Sequence, residues 1–171
     1  MAGKLVQVAT NTITSAVSSI QLTGIDDDSV YMVAFNNASP TTNEVDLHAR
    51  VLESGTPNTT SNYDRAVIGF RANASFLDIG SANASSMDMG NNMGTGTSET
   101  INGIIYIYNA NNSSEFTFLT LEQTEVDHSQ LHVGFAGGYV FTSESAVNGI
   151  ELFFDSGSTT ATGTFTLYKV V

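Results

Sequence analysis

Gly149-Ile-Glu-Leu-Phe-Phe-Asp-Ser-Gly157 and, after a short polar gap, Gly163-Thr-Phe-Thr-Leu-Tyr-Lys-Val-Val171 decide how the rest of the chain is read. Each is a short run of Ile, Leu, Phe, Val and Thr bounded by Gly or Ser, which is how a β-strand is written in sequence. Together they predict two strands joined by a small loop, the second running to Val171. The same grammar recurs upstream. Candidate strands fall at 4–9, 13–23, 30–36, 44–52, 66–71, 103–109, 116–122, 131–135 and 138–142, beside 149–154 and 163–170. The 13–23 run is too long to be uninterrupted, and Ser18-Ser19 marks a bulge or bend within it.

Between these runs stand clusters of Gly, Asn, Ser and Asp, and helical periodicity is hard to find. Many short strands with regular turn punctuation predict an all-β fold: a single antiparallel β-sandwich, jelly-roll-like. The clearest alternation is at 44–52. There Val45, Leu47, Ala49 and Val51 face one way and Asp46, His48 and Arg50 the other, as the two-residue period demands. Ile104-Ile105-Tyr106-Ile107-Tyr108 and Phe116-Thr117-Phe118-Leu119-Thr120-Leu121 are instead apolar on both faces. Such strands lie between two layers. One layer is the opposing sheet; the other is either a neighbouring subunit or a loop folded over the outside.

A long polar loop is expected at about 80–98, where Gly, Asn and Ser dominate without a β-period. Loops of that length inside a compact domain are uncommon and often functional. Met87, Met89 and Met93 are odd company there, since flexible thioether side chains anchor a loop on an irregular apolar surface. That surface is either the chain's own core or a partner, which makes the three methionines candidate partner contacts.

The 171 residues fit one domain, and 41% apolar content can supply its core. Charged residues make up 13%, about half the usual share of 25%. Seventeen acids against five bases give a net charge of −12. That balance repels phosphate backbones and anionic membrane surfaces, so neither nucleic acid nor membrane is an expected partner. With no cysteine, disulfides and thiolate chemistry are impossible. Residues 1–25 carry no basic stretch followed by an apolar one, so synthesis in a bacterial cytoplasm is expected.

The candidate chemistry is sparse. Asp26-Asp27-Asp28 could attract a hard cation, but consecutive side chains in an extended segment point apart, and an Asp-rich turn explains them as well. His128 and His132 would share a face only on a helix; on a strand four residues span about 13 Å, too far for one metal. His48, between Asp46 and Arg50, reads as part of a small salt-linked surface patch. No Gly-x-Ser-x-Gly elbow occurs, and Gly134-Phe135-Ala136-Gly137-Gly138 lacks the lysine and helix of a phosphate loop. The expectation is a non-enzyme with no cofactor and no metal. Sugar contacts, if any, would come from Tyr63, Tyr108 and Tyr139 near turns, against the alternative that these are half-buried sheet residues. Six Asn-x-Ser/Thr sequons, beginning at Asn37, Asn58, Asn73, Asn83, Asn111 and Asn112, read as loop composition.

The carboxyl-terminal pattern also resembles a known group. Many small bacteriophage virion proteins end in an apolar strand, Ser-Gly, a short loop, Gly-Thr-Phe and then Leu-Tyr with a small apolar finish. Ser54-Gly55-Thr56-Pro57, Tyr63-Asp64-Arg65-Ala66, Asn102-Gly103-Ile104-Ile105-Tyr106-Ile107-Tyr108 and Val140-Phe141-Thr142-Ser143 resemble pieces of the same group, in matching order. The resemblance runs from about residue 50 to the end and brings no catalytic residues with it. It implies a virion structural protein: a capsid decoration or cement protein on the outer head surface, or alternatively a tail-fibre or receptor-binding tip that holds host-surface glycans. The expected partners are further copies of the chain, with a trimer through 103–109 or 116–121, and the major capsid protein or tail proteins.

Overall fold

A computed structural model describes residues 3–156 and 159–171, so Gly157 of the joining loop lies outside the described residues. Among these residues there are thirteen strands and no helix. They are β1 (Leu5–Ile13), β2 (Ile20–Thr23), β3 (Tyr31–Pro40), β4 (Leu47–Glu53), β5 (Thr56–Pro57), β6 (Tyr63–Arg71), β7 (Phe76–Ala84), β8 (Met87–Asp88), β9 (Ile101–Tyr108), β10 (Thr117–Val126), β11 (His132–Phe141), β12 (Gly149–Phe154) and β13 (Thr160–Val170).

Eight strands form one antiparallel sheet in the order β1-β13-β3-β9-β10-β11-β6-β7. A smaller sheet runs β2-β12-β4, with β5 and β8 both paired to β4. Following β1, β2, β3, β4, β8, β9, β12 and β13 in turn, the chain changes sheet at every step except from β4 to β8, which pair with each other in the small sheet. The two resulting four-strand orders, β1-β13-β3-β9 and β2-β12-β4-β8, are those of a jelly roll, so the expected architecture is present. Two inserted pieces, β6–β7 and β10–β11, widen the larger sheet beyond β9.

The core is made of register rows. In the large sheet Leu167, Val33, Ile105 and Leu121 lie side by side, pointing inward. Opposite them stand the rows Leu22–Ile150–Val51 and Ile20–Leu152–Ala49 of the small sheet. All are essentially sealed from water. Burying a side chain of this size contributes roughly 1.5–3 kcal/mol.

Several boundaries differ from the sequence reading, each for a local reason. The 13–23 run breaks after Ile13 and resumes at Ile20, with the chain crossing between sheets. The runs at 131–135 and 138–142 are a single strand, β11, passing straight through Gly137. Gly137 has φ +156°, and a Cβ there would meet the Ala66 carbonyl oxygen at 2.4 Å, so a glycine lets β6 approach closely. Gly163, first residue of Gly-Thr-Phe, has φ +137° at a register shift against β3; its missing Cβ leaves room for Ala38.

The expected loop at 80–98 is partly strand. β7 reaches Ala84, and β8 pairs with β4 through His48↔Asp88 and Ala49↔Met87. β7 is an edge strand with no fully buried position; after Leu77 and Ile79 it is Gly, Ser, Ala and Asn, so only a short apolar alternation announces it. Residues 87–93 then form a strap beneath the widened part of the large sheet. Tyr139 donates its hydroxyl to the Asp88 carbonyl at 2.6 Å, and the Gln123 amide donates to the Met89 carbonyl. The Met93 backbone bridges both Val45 and Asp127. Asn37 and Asn83 hold positive φ at register shifts within β3 and β7, and Asn92 and Asn109 hold it between strands, a conformation asparagine tolerates; two of the sequons thus sit at strand irregularities.

Glu125 lies under this strap, 2% exposed, and accepts the Gln123 amide at 3.2 Å. Burial, reinforced by Asp46, Asp127 and Asp88, raises its pKa well above the ordinary value of 4.5. The folded chain therefore holds a proton that the unfolded chain releases, and stability falls as pH rises above about 4.5. Glu125→Gln should remove that slope. Thermal melts at pH 4 and pH 8 should show the variant gaining on the wild type at the higher pH; a parallel pH dependence would contradict the assignment.

β13 sits between β1 and β3, with Phe165 and Leu167 fully buried. Removal of residues 163–171 should abolish folding, and Phe165→Ala should cost about 3–5 kcal/mol by denaturant unfolding. A truncated chain that is soluble and melts cooperatively would refute this.

Candidate interaction surface

The inward face of the large sheet packs the core; its outward face meets solvent. Two register rows define that outward face. One reads Tyr168–Met32–Tyr106–Thr120–Gly138–Ala66–Gly80, and the next Thr166–Ala34–Ile104–Glu122–Ala136–Ile68–Asp78. A third brings Phe70 beside Phe76 at the β6–β7 end, their rings 5.7 Å apart and edge to face. Phe118 stands opposite both Tyr108 and Val140.

The face is apolar and open. Ile68, Phe70, Phe76 and Phe118 are 40%, 47%, 67% and 46% exposed. Small side chains at Ala66 and Gly138 leave a shallow trough of about 390 Å³, walled by Phe118 and Val140 and rimmed by Asp64. Towards β1 the character changes to a hydroxyl ladder, with Thr10 2.9 Å from Thr166 and Thr12 3.3 Å from Thr164. Across β13, β3, β9, β10 and β11, Glu122 is the one outward carboxylate among the described residues, with His132 at the rim. With Asp64 and Asp78 on β6 and β7, this face bears three of the chain's seventeen acids, Glu122 the one near its middle. The doubly apolar strands thus owe their outer faces to an exposed surface, not to a loop folded over them.

Met87, Met89 and Met93 are 1%, 2% and 0% exposed, within the chain's own core. They are therefore corrected from partner contacts to core anchors of the strap. Tyr63 and Tyr139 are corrected as well. Tyr63 is buried, donating its hydroxyl to the Asn58 carbonyl at 2.9 Å and accepting the Val51 amide at 3.2 Å. Tyr139 is spent on Asp88. Burial raises both phenol pKa values. Tyr108 alone of the three is on the outward face, half-buried, with its ring 6.5 Å from that of Tyr106.

The other candidates resolve as polar structure. Asp26 and Asp27 both accept the Tyr31 hydroxyl, at 2.8 and 3.1 Å, and Lys169 closes onto Asp27. That ammonium, with the Ser29 hydrogen bonds, holds the Asp27 carboxyl well below the usual carboxylate range. His128 faces Glu44 at 3.6 Å, while His132 hydrogen-bonds Thr124 at 2.7 Å, so the two histidines have separate partners. Arg50 lies over the Phe153 ring at 4.3 Å and pairs with Glu151 at 3.7 Å. Sequence reasoning found Phe118 through its doubly apolar run but missed Ile68, Phe70 and Phe76. The alternation of Ala66, Ile68 and Phe70 against Val67 and Gly69 was the available signal.

No family model matches the sequence, and no curated protein matches it significantly.

The contrast between strap and outer face is measurable. Met93→Ala should destabilise the chain by about 2–5 kcal/mol. Phe76→Ala, on the exposed edge, should stay within about 0.5 kcal/mol of wild type by urea unfolding. Equal effects would invalidate the division into core and surface.

Proposed function

We propose that this chain is a structural protein of a bacteriophage virion, a decoration or cement protein on the outside of the head, that self-associates through the outer face of its large sheet. The observation that carries the reading is that face: broad, apolar and bearing only Asp64, Asp78 and Glu122 of the chain's seventeen acids. Copies of a protein at −12 repel one another over most of their surfaces and approach most easily where the shared charge is sparse. A trimer built on β9 and β10 uses Tyr106, Tyr108 and Phe118, which stand in adjacent register. The virion setting rests on the resemblance of the Gly163-Thr-Phe-Thr-Leu-Tyr168 ending and its upstream pieces to phage virion proteins.

Decoration needs no catalysis. A protein that binds the assembled shell and not its free subunits stabilises the shell by mass action. The rival reading, a tail-fibre or receptor-binding tip that holds glycans, now rests on Tyr108 alone of its three candidate tyrosines, and we rank it second.

An antibody to the chain, imaged on intact virions, should label the head. Label on the tail alone would transfer the proposal to the rival, and label on no virion would overturn both. In solution, sedimentation should find a trimer that Phe118→Asp converts to monomer without loss of fold. A wild-type chain that stays monomeric at high concentration and on the virion would end the trimer assignment.

A further inference from the structure

Away from the outer sheet face, three metal-ligating side chains converge where β4 meets β8. Asp46 lies in the turn before β4, His48 on the solvent side of β4, and Asp88 directly across from His48 on β8. Each offers a donor atom, and these atoms lie within 4.8 Å of one another. All three residues are partly buried.

The cluster is pre-oriented by groups around it. Ser86 Oγ lies 2.9 Å from His48 Nδ1, which fixes the ring and leaves Nε2 turned towards Asp88. An imidazole bound at one nitrogen by a polar neighbour, with the other nitrogen presented, is how metal-ligating histidines are held. The Phe153 ring, 5.6 Å from that of His48, packs against it. Asp88 Oδ2 is taken by Arg65, whereas Asp88 Oδ1 is sealed from solvent and accepts no hydrogen bond. That orphaned oxygen is 4.0 Å from His48 Nε2. The gap is too long for a hydrogen bond. Two ligands of a tetrahedral zinc ion at about 2.0–2.1 Å stand roughly 3.4 Å apart, so a small side-chain rotation closes it around an ion.

The surroundings favour a cation. Asp46 Oδ1 accepts the Asn92 amide at 2.5 Å, and Asp155 Oδ1 accepts the Asp46 amide at 3.0 Å, bringing a third carboxylate to the same place. Against Asp46, Asp88 and Asp155 stands Arg65, since Arg50 is paired with Glu151. A buried oxygen without a donor, beside an excess of negative charge, is an arrangement a divalent ion would relieve.

We propose that Asp46, His48 and Asp88 form a binding site for a divalent first-row transition metal, with zinc the best match to one imidazole nitrogen and two carboxylate oxygens. Calcium and magnesium are disfavoured, because a hard ion prefers an all-oxygen shell of six or more ligands and gains nothing from the imidazole. The remaining position belongs to water. Bound there, the ion ties the start of the strap to β4 and so joins the small sheet to the segment that underpins the widened large sheet. Its role is structural clamping.

The test uses the full chain, stripped with chelator and titrated with zinc chloride by calorimetry and thermal melting. One zinc per chain should bind saturably and raise the melting temperature, with magnesium and calcium giving no shift. His48→Gln should weaken binding by about tenfold or more while melting like wild type in chelator. His128→Gln and His132→Gln should bind as wild type does. Asp88→Asn also loses the Arg65 pair and can fail to fold, so His48→Gln is the deciding variant. Absence of saturable zinc binding up to about 1 mM would overturn the site. So would unchanged affinity in His48→Gln, or an equal response to calcium.

Discussion

β13 is held on both sides, by β1 along one edge and β3 along the other, and the architecture depends on that double pairing. Its partners lie near the start of the chain, more than a hundred residues away. Without β13 the first strand has no neighbour in the large sheet, and the rows that include Phe165 and Leu167 lose their centre. A topology closed by such distant pairings loses chain entropy before its contacts form, which makes folding slow compared with helical proteins of this size. The absence of cysteine leaves packing alone to hold the closure.

Where the sequence was legible, strands carried a strong apolar alternation or a dense aliphatic and aromatic run. β4, β9, β10, β12 and β13 are of this kind, and their faces follow from the two-residue period. What could not be read was set by neighbours. β7 is a strand because β6 offers it a ladder from Tyr63 to Phe70, not because Gly80-Ser81-Ala82-Asn83 favours extension. β11 continues through Gly137 because β6 leaves no room for a side chain. Tyr63 and Tyr139 look like turn tyrosines, yet each finds a carbonyl inside the fold for its hydroxyl. The Asp46–His48–Asp88 cluster was half visible in the alternation of β4. Its third member lies forty residues on, in a two-residue strand that no local pattern announces.

Charge is distributed to the same effect as packing. With seventeen acids, the chain places only Glu122 in the middle of its broad outer face and puts most of the others at turns, towards the β6–β7 end, or in pairs with its few bases. Arg65 pins Asp88 of β8 and Lys169 pins Asp27 between β2 and β3, and both act as struts. The serine, threonine and asparagine that dilute the charge carry out the local work of turns and ladders.

The widened part of the large sheet comes from two separate stretches of chain. β10–β11 follows β9, while β6–β7 arrives from between β4 and β8 and reaches the sheet only by pairing with β11. Neither hairpin has a full set of neighbours without the other. As additions to a jelly roll they are interlocked. A lineage that lost β10–β11 would leave β6–β7 with nothing to pair against, whereas loss of both would leave the eight-strand order intact. The two insertions are therefore expected to behave as one inherited module, present or absent together, although β8, β9 and their loops, residues 85–116, lie between them in the sequence.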